Sequence, residues 1–230
     1  MQLKNSFFPA IEDEEITDLT VGDILRIAAK EDPDKVALVE TNMECELGQE
    51  WTYQELLQDS ERLAYNLLNK FNPGDKIAVW SPNTAEWVIL EFACALSGMV
   101  LVTVNPSYQV NELHYVLEQS QSSALYLIHE YRGNPMLEIA KKATKDLPNI
   151  KSIIDMDNKD EFYGIGVAPV ELPEVQPLDA AQIQYTSGTT GFPKGAVLHH
   201  LGLTNNARLC ADRVDIGRDD IWLNFMPMFH

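Results

Sequence analysis

The stretch IAVWSPNTAEWVILEFACALSGMVLVTVNP, residues 77–106, decides the fold. It opens with a short apolar run, Ile77–Trp80, and closes with another, Val100–Val104, rich in β-branched residues that suit strands. Trp87 to Val104 approaches the roughly 20 apolar residues that a bilayer crossing requires. Glu91 sits within it, however, and Ser97-Gly98 breaks it where a helix would stop. The spacing therefore predicts a buried helix over Glu86–Ser97 between two buried strands, with no transmembrane segment.

The same alternation extends in both directions. Val36–Glu40 reads as a strand, and Trp51-Thr52-Tyr53 as a short strand feeding a helix. Thr52 is placed to cap that helix, with Glu55 three residues on completing a capping box. Leu56, Leu63, Leu67 and Phe71 mark its apolar side, and Pro73-Gly74-Asp75 ends it. Beyond Asn105-Pro106, Val110, Leu113, Val116 and Leu117 form a helical stripe. Ala124–Ile128 is a strand, Met136–Lys145 a helix, and Lys151–Ile154 a strand. Continuously apolar strands separated by amphipathic helices predict an α/β fold, doubly wound, its mostly parallel sheet covered by helices on both faces.

From Asp155 to Asp179 the chain is acidic, carries Pro169, Pro173 and Pro177, and lacks helical periodicity. Two domains are expected. Residues 1–178 form a first α/β sheet subdomain with an N-terminal extension and this Pro-rich linker, and 179–230 begin a second. Gly164-Ile-Gly166 lacks the third glycine of a dinucleotide fingerprint.

Across 230 residues, 35 Asp plus Glu against 17 Lys plus Arg give a formal charge of -18. Such a surface repels a phosphate backbone, so no nucleic acid is expected as a partner. Any anion site must be local. Cys45, Cys94 and Cys210 are scattered, which predicts small buried side chains and no zinc site. The N-terminus offers neither a signal core nor a basic transit helix, and a cytoplasmic location is expected.

Such a local anion site is legible in IQYTSGTTGFPKGA, residues 183–196. After a β-prone lead-in come Thr186, Ser187, Gly188, Thr189, Thr190 and Gly191, then Lys194 and Gly195. Glycines let backbone N–H groups approach an anion, hydroxyls add donors, and Lys194 supplies a full charge. The loop is not a Walker A motif, since Pro193 precedes the lysine and Gly195 follows it.

The string resembles the phosphate loop of the adenylate-forming (AMP-binding) superfamily, which includes acyl-CoA synthetases. Other segments agree in the family's order. WTYQEL (51–56) is similar to its early Thr-Tyr-x-Glu-Leu element, and SPNTAEW (81–87) to its Asn-x-x-Glu-Trp helix start. GMVLVTVNPSY (98–108) with Glu112-Leu113 resembles the Asn-Pro-x-Tyr…Glu-Leu element of the fatty-acyl branch. MPMFH (226–230) resembles that branch's Pro-x-Phe-His motif.

The resemblance implies an ATP-dependent acyl-CoA synthetase acting on a fatty or similarly apolar acid. A carboxylate attacks ATP to give acyl-adenylate and pyrophosphate, and CoA then displaces AMP. Thr186, Ser187, Gly188, Thr189, Thr190, Gly191 and Lys194 would hold the ATP phosphates, and His230 would lie by the acyl pocket on the carboxylate side. The cofactors implied are ATP, Mg2+ and CoA as co-substrate, with most Mg2+ ligands downstream. By the family pattern the adenine loop, the ribose-binding Asp and a mobile C-terminal domain lie beyond His230. The chain is thus expected to be an N-terminal part, inactive alone, and able to form an oligomer. An aryl- or amino-acid-adenylating enzyme and a non-catalytic acidic interaction module remain open. His114 and His129 read as structural, and adjacent His199 and His200 as a cap for the following helix.

Overall fold

The computed structural model describes residues 15–41, 46–186 and 193–230. Helix α1 (Val21–Glu31) comes first, capped by Thr20 in a capping box with Asp23. No helix is expected there above, although Leu25 and Ala29 bury its inner face. Strands β1 (Val36–Thr41) and β2 (Leu47–Thr52) pair antiparallel. They form a separate two-stranded sheet, so Val36–Glu40 is a strand as read but stands outside the parallel sheet. Helix α2 (Tyr53–Leu68) starts where expected: Thr52 Oγ1 accepts from Glu55 N at 3.2 Å and Glu55 Oε2 from Thr52 N at 2.8 Å.

The central sheet begins with β3 (Lys76–Trp80), α3 (Ala85–Ser97) and β4 (Val100–Val104). Gly98 caps α3 in the left-handed region at φ 70°, its N–H donating to Cys94 O, so the chain can leave the helix and enter β4 at once. Helix α4 (Val110–Ser120) leads to β5 (Ser122–Leu127). The short hairpin β6 (Glu130–Tyr131) and β7 (Asn134–Pro135) precedes α5 (Met136–Ala143) and β8 (Ser152–Asp155). The 155–179 segment is not wholly irregular. It holds helix α6 (Lys159–Tyr163), capped by Asn158, whose Phe162 and Tyr163 are buried. Five residues are too few to show periodicity. Then come β9 (Ala180–Thr186), β10 (Lys194–His199) and α7 (His200–Arg213).

The strand order of the six-stranded sheet is β10-β9-β4-β3-β5-β8, with every pair parallel except the antiparallel edge pair β9–β10. Thus β9 and β10 join the same sheet as β4, across the division expected at 178/179. Two-residue alternation splits the core. Ile77, Val79, Leu101, Ala124 and Tyr126 face a cluster with α1, α2 and α3. Ala78, Trp80, Val102, Leu125, Leu127, Ile183 and Tyr185 face another with α4 and α5. Residues of β3, β4 and β5 face apolar layers in both directions, which is why their runs are mostly apolar.

Ile221–Met226, whose apolar content suits a strand, is not one. Trp222 is 69% and Phe225 79% exposed. A strand exists only through ladder partners, and this segment has none among the described residues. Cys94 is buried as expected, whereas Cys210 is exposed, and Cys45 lies outside the described residues. No described helix is long and apolar enough to cross a membrane.

Candidate functional site

Strands β3 and β4 run parallel and in step, so Trp80 and Val104 end side by side. The chain leaves β3 for α3 on one face of the sheet and leaves β4 for α4 on the other. Diverging connections open a crevice at the carboxyl ends of the strands, the usual ligand position in such sheets. Two contacts brace it. Trp80 Nε1 donates to Asn105 O at 2.9 Å, and Asn105 Oδ1 accepts from Ser107 N at 2.9 Å, turning the chain out of β4.

The Met226–His230 segment docks here. Asn83 Nδ2 donates to Met226 O at 2.8 Å, Asn83 Oδ1 accepts from Met228 N at 2.9 Å, and Thr103 Oγ1 donates to Phe229 O at 3.0 Å. His230 is exposed, its ring tilted against Phe229 with centroids 4.5 Å apart. Asn83 and Thr103, which hold this segment, are not singled out in the sequence. Thr103 carried a signal, being the one hydroxyl in an otherwise apolar strand. Asn83 had none beyond its place in a helix-start motif.

Neighbouring β9 is parallel to β4, so its last residue, Thr186, emerges on the same sheet edge. Thr186 pairs with Lys194, the first residue of β10, and Thr186 Oγ1 contacts Lys194 O at 3.5 Å. Both side chains are exposed. Ser187, Gly188, Thr189, Thr190 and Gly191 lie outside the described residues. The structure therefore brings together the two flanks of the expected phosphate loop.

Close packing holds this hairpin. Tyr115 Oη donates to Pro193 O at 3.2 Å, and Tyr185 Oη to Val116 O at 3.3 Å, tying it to α4. A Cβ on Gly195 would stand 3.0 Å from Ile183 Cγ2 and 3.2 Å from Tyr185 Cζ. A side chain there would press on Ile183 and the Tyr185 ring. Among the described residues, no group of three or more His, Cys, Asp or Glu side chains could hold a metal ion.

The remaining histidines are structural in geometry. His114 Nδ1 lies 2.8 Å from Ala143 O, and His129 Nε2 3.0 Å from Asp155 Oδ2. His199 is the cap of α7, accepting from Gly202 N at 2.8 Å, and His200 is fully buried. Glu91, on α3, borders a small cavity with Val21, Leu101 and Gln182, and burial pushes its carboxyl up to about 7.

Known proteins resemble this chain in sequence and fold. The family model for AMP-binding enzymes matches residues 25–230. A Bacillus subtilis (strain 168) protein named as an acyl-CoA synthetase, YngI, is 32% identical over 94% of this chain and 44% of its own length. The human mitochondrial medium-chain acyl-CoA ligase ACSF2 is 30% identical over 86% of this chain and 36% of its own. The O-succinylbenzoate coenzyme A synthetase MenE from Bacillus subtilis, solved in complex with AMP, superposes with a TM-score of 0.75 at 28% identity, covering 93% of this chain and 51% of that one. The chain spans less than half the length of the two relatives named. A match over nearly the whole described fold leaves one assignment: the chain belongs to the AMP-binding enzyme family.

Proposed function

We propose that this chain is the N-terminal part of an ATP-dependent acyl-CoA synthetase, contributing its triphosphate grip and one wall of its acyl site. The observation that carries the reading is the pairing of Thr186 with Lys194 at the carboxyl edge of β9. That pairing brackets the hydroxyl- and glycine-rich sequence with a cation.

Thr186, Ser187, Gly188, Thr189, Thr190, Gly191 and Lys194 bind the β- and γ-phosphates of ATP. An acid's carboxylate oxygen attacks the α-phosphorus while the bond to the pyrophosphate oxygen breaks, giving acyl-adenylate and pyrophosphate. The sulfur of CoA then attacks the acyl carbon, and AMP leaves. Donors fixed on the leaving pyrophosphate stabilise the charge that collects there, and alignment of the two reactants lowers the entropic part of the barrier. Magnesium arrives with ATP as the counterion of its phosphates, and no step is assigned to a metal held by the described residues. His230, held at the crevice by the grip on 226–229, faces the acid's carboxylate. The substrate in this reading is a fatty or similarly apolar acid, supported by the acyl-CoA names of YngI and ACSF2 and by the resemblance of Asn105-Pro106-Ser107-Tyr108 to the element of the fatty-acyl branch.

The test is carboxylate-dependent exchange of labelled pyrophosphate into ATP by the full-length protein, over fatty, aryl and amino acids. Exchange with fatty acids supports the proposal. Exchange only with aryl or amino acids moves the protein to another branch, and no exchange with any acid favours a non-catalytic role. The 230-residue chain alone should give none.

A further inference from the structure

Helix α7 buries a polar face. His200, Thr204 and Asn205 are all at most 5% exposed, an arrangement that is costly unless each group is matched. The partners lie in one place, the main chain just before and at the start of α1. His200 Nδ1 accepts from Val21 N at 3.3 Å, and Thr204 Oγ1 donates to Leu19 O at 3.1 Å. Asn205 accepts from Thr17 N and donates to Thr17 O, both at 2.9 Å. Arg208 donates to Glu15 O.

The partners thus fall at 21, 19, 17 and 15, every second residue, against positions 200, 204, 205 and 208 of the helix. A two-residue repeat is that of an extended chain, and offsets of four, five and eight define one helical stripe. Ile16 and Asp18, between the gripped residues, are exposed. Residues 15–21 therefore lie antiparallel along α7 as a strap, read mainly through backbone groups, with Thr17 Oγ1 also donating to Asn205 Oδ1 at 3.3 Å.

The strap bears on β10 because α7 follows it without a break, and among the described residues β10 is an edge strand with β9 as its one neighbour. His200 N also donates to Asp179 O at 3.2 Å, and Leu201 N to Pro177 O at 2.8 Å. The carboxyl end of β10 is thereby fixed from both sides, and its amino end is Lys194. We propose that His200, Thr204 and Asn205 are positioning residues: by gripping the 15–21 main chain they hold β10 in place and so set Lys194 at the nucleotide. This rests on the reading of Lys194 as a phosphate ligand.

The clamp is sensitive to acid. Because Nδ1 accepts from Val21 N, the neutral ring carries its proton on Nε2, which has no hydrogen-bond partner among the described residues. Burial lowers the His200 pKa, opposed by Asp179 in the preceding loop and Asp23 on α1 and reinforced by His199. A protonated ring cannot accept from Val21 N, so the grip opens as pH falls below the ordinary histidine value of 6.5.

The experiment uses the full-length protein with Asn205→Ala, Asn205→Asp and His200→Asn. The Asn205→Ala change should speed hydrogen exchange at Gly195–Leu198 at least tenfold and raise KM for ATP several-fold, with kcat little changed. Asn205→Asp, which keeps the acceptor but not the donor, should fall between. The wild type should show a rise in KM for ATP below about pH 6.5. His200→Asn, which offers Val21 N an uncharged acceptor, should abolish that rise. Faster exchange confined to residues 15–21, with β10 unaffected, would overturn the proposal, as would an acid limb that persists in His200→Asn. Faster exchange at β10 with no change in KM for ATP would keep the strap and reject Lys194 as a phosphate ligand.

Discussion

Asn83 and Met228 are joined by a hydrogen bond of 2.9 Å across 145 residues of sequence, and the same carboxamide donates to Met226 O. One exposed side chain at the end of β3 thus holds both sides of Pro227. Both bonds are near water, so their net worth is about 1 kcal/mol each.

Asn83→Ala should therefore leave global stability within about 1–2 kcal/mol of wild type while freeing the 226–230 segment. In the full-length enzyme the KM for the carboxylic acid should rise and the KM for ATP should hold. A change confined to ATP would contradict the placement of His230 on the acid side.

Lys194→Ala removes the cation that brackets the phosphate loop. Loss of a charge-assisted hydrogen bond should lower kcat/KM for ATP by about 1.5–3 kcal/mol, or roughly 10- to 150-fold. Steady-state pyrophosphate release checks it, and an unchanged value would show that this lysine does not touch phosphate.

Gly195→Ala tests the packing beneath the hairpin. The added methyl meets Ile183 Cγ2 at 3.0 Å and the Tyr185 ring at 3.2 Å. Overpacking of this kind costs about 1–3 kcal/mol, measurable as a lowered denaturant midpoint with an unchanged slope. Tyr185→Leu in the same chain should recover part of the loss by clearing the ring.

Glu91 gives stability an alkaline slope. Burial pushes its folded carboxyl up to about 7, against the ordinary 4.5, so the folded state binds the extra proton between those limits. The contribution is favourable at low pH and is lost as pH rises from about 4.5 through 7. Glu91→Gln should be more stable than wild type above pH 7 by roughly 1–3 kcal/mol, with the two converging near pH 4.5. Parallel unfolding curves at pH 5 and 8 decide it.

Much of this was readable from local chemistry. The capping box at Thr52 and Glu55, the stop at Gly98 and the mostly apolar runs of β3, β4 and β5 each follow from a few neighbouring residues, and those neighbours are what fold them. The run from Thr186 to Lys194 was likewise recognisable from its order alone. Ile221–Met226 marks the limit of such local chemistry: apolar content makes a strand possible, and only a partner ladder makes it real. Helix α1 escaped because its apolar stripe is short and its capping residue unremarkable until Asp23 is seen to complete the box. Val36–Glu40 was identified as a strand but not as part of a separate hairpin, because partner choice is not encoded in the strand itself.

Sequence by itself determined the residue types, their periodicity and the succession of motifs, since helix and strand preferences act over a few residues. The tertiary structure alone decided which distant groups meet: Asn83 with Met226 and Met228, Thr103 with Phe229, and the polar stripe of α7 with residues 15–21. Those meetings are long-range hydrogen bonds to the backbone, and a backbone amide carries no mark in the sequence of the side chain that will reach it.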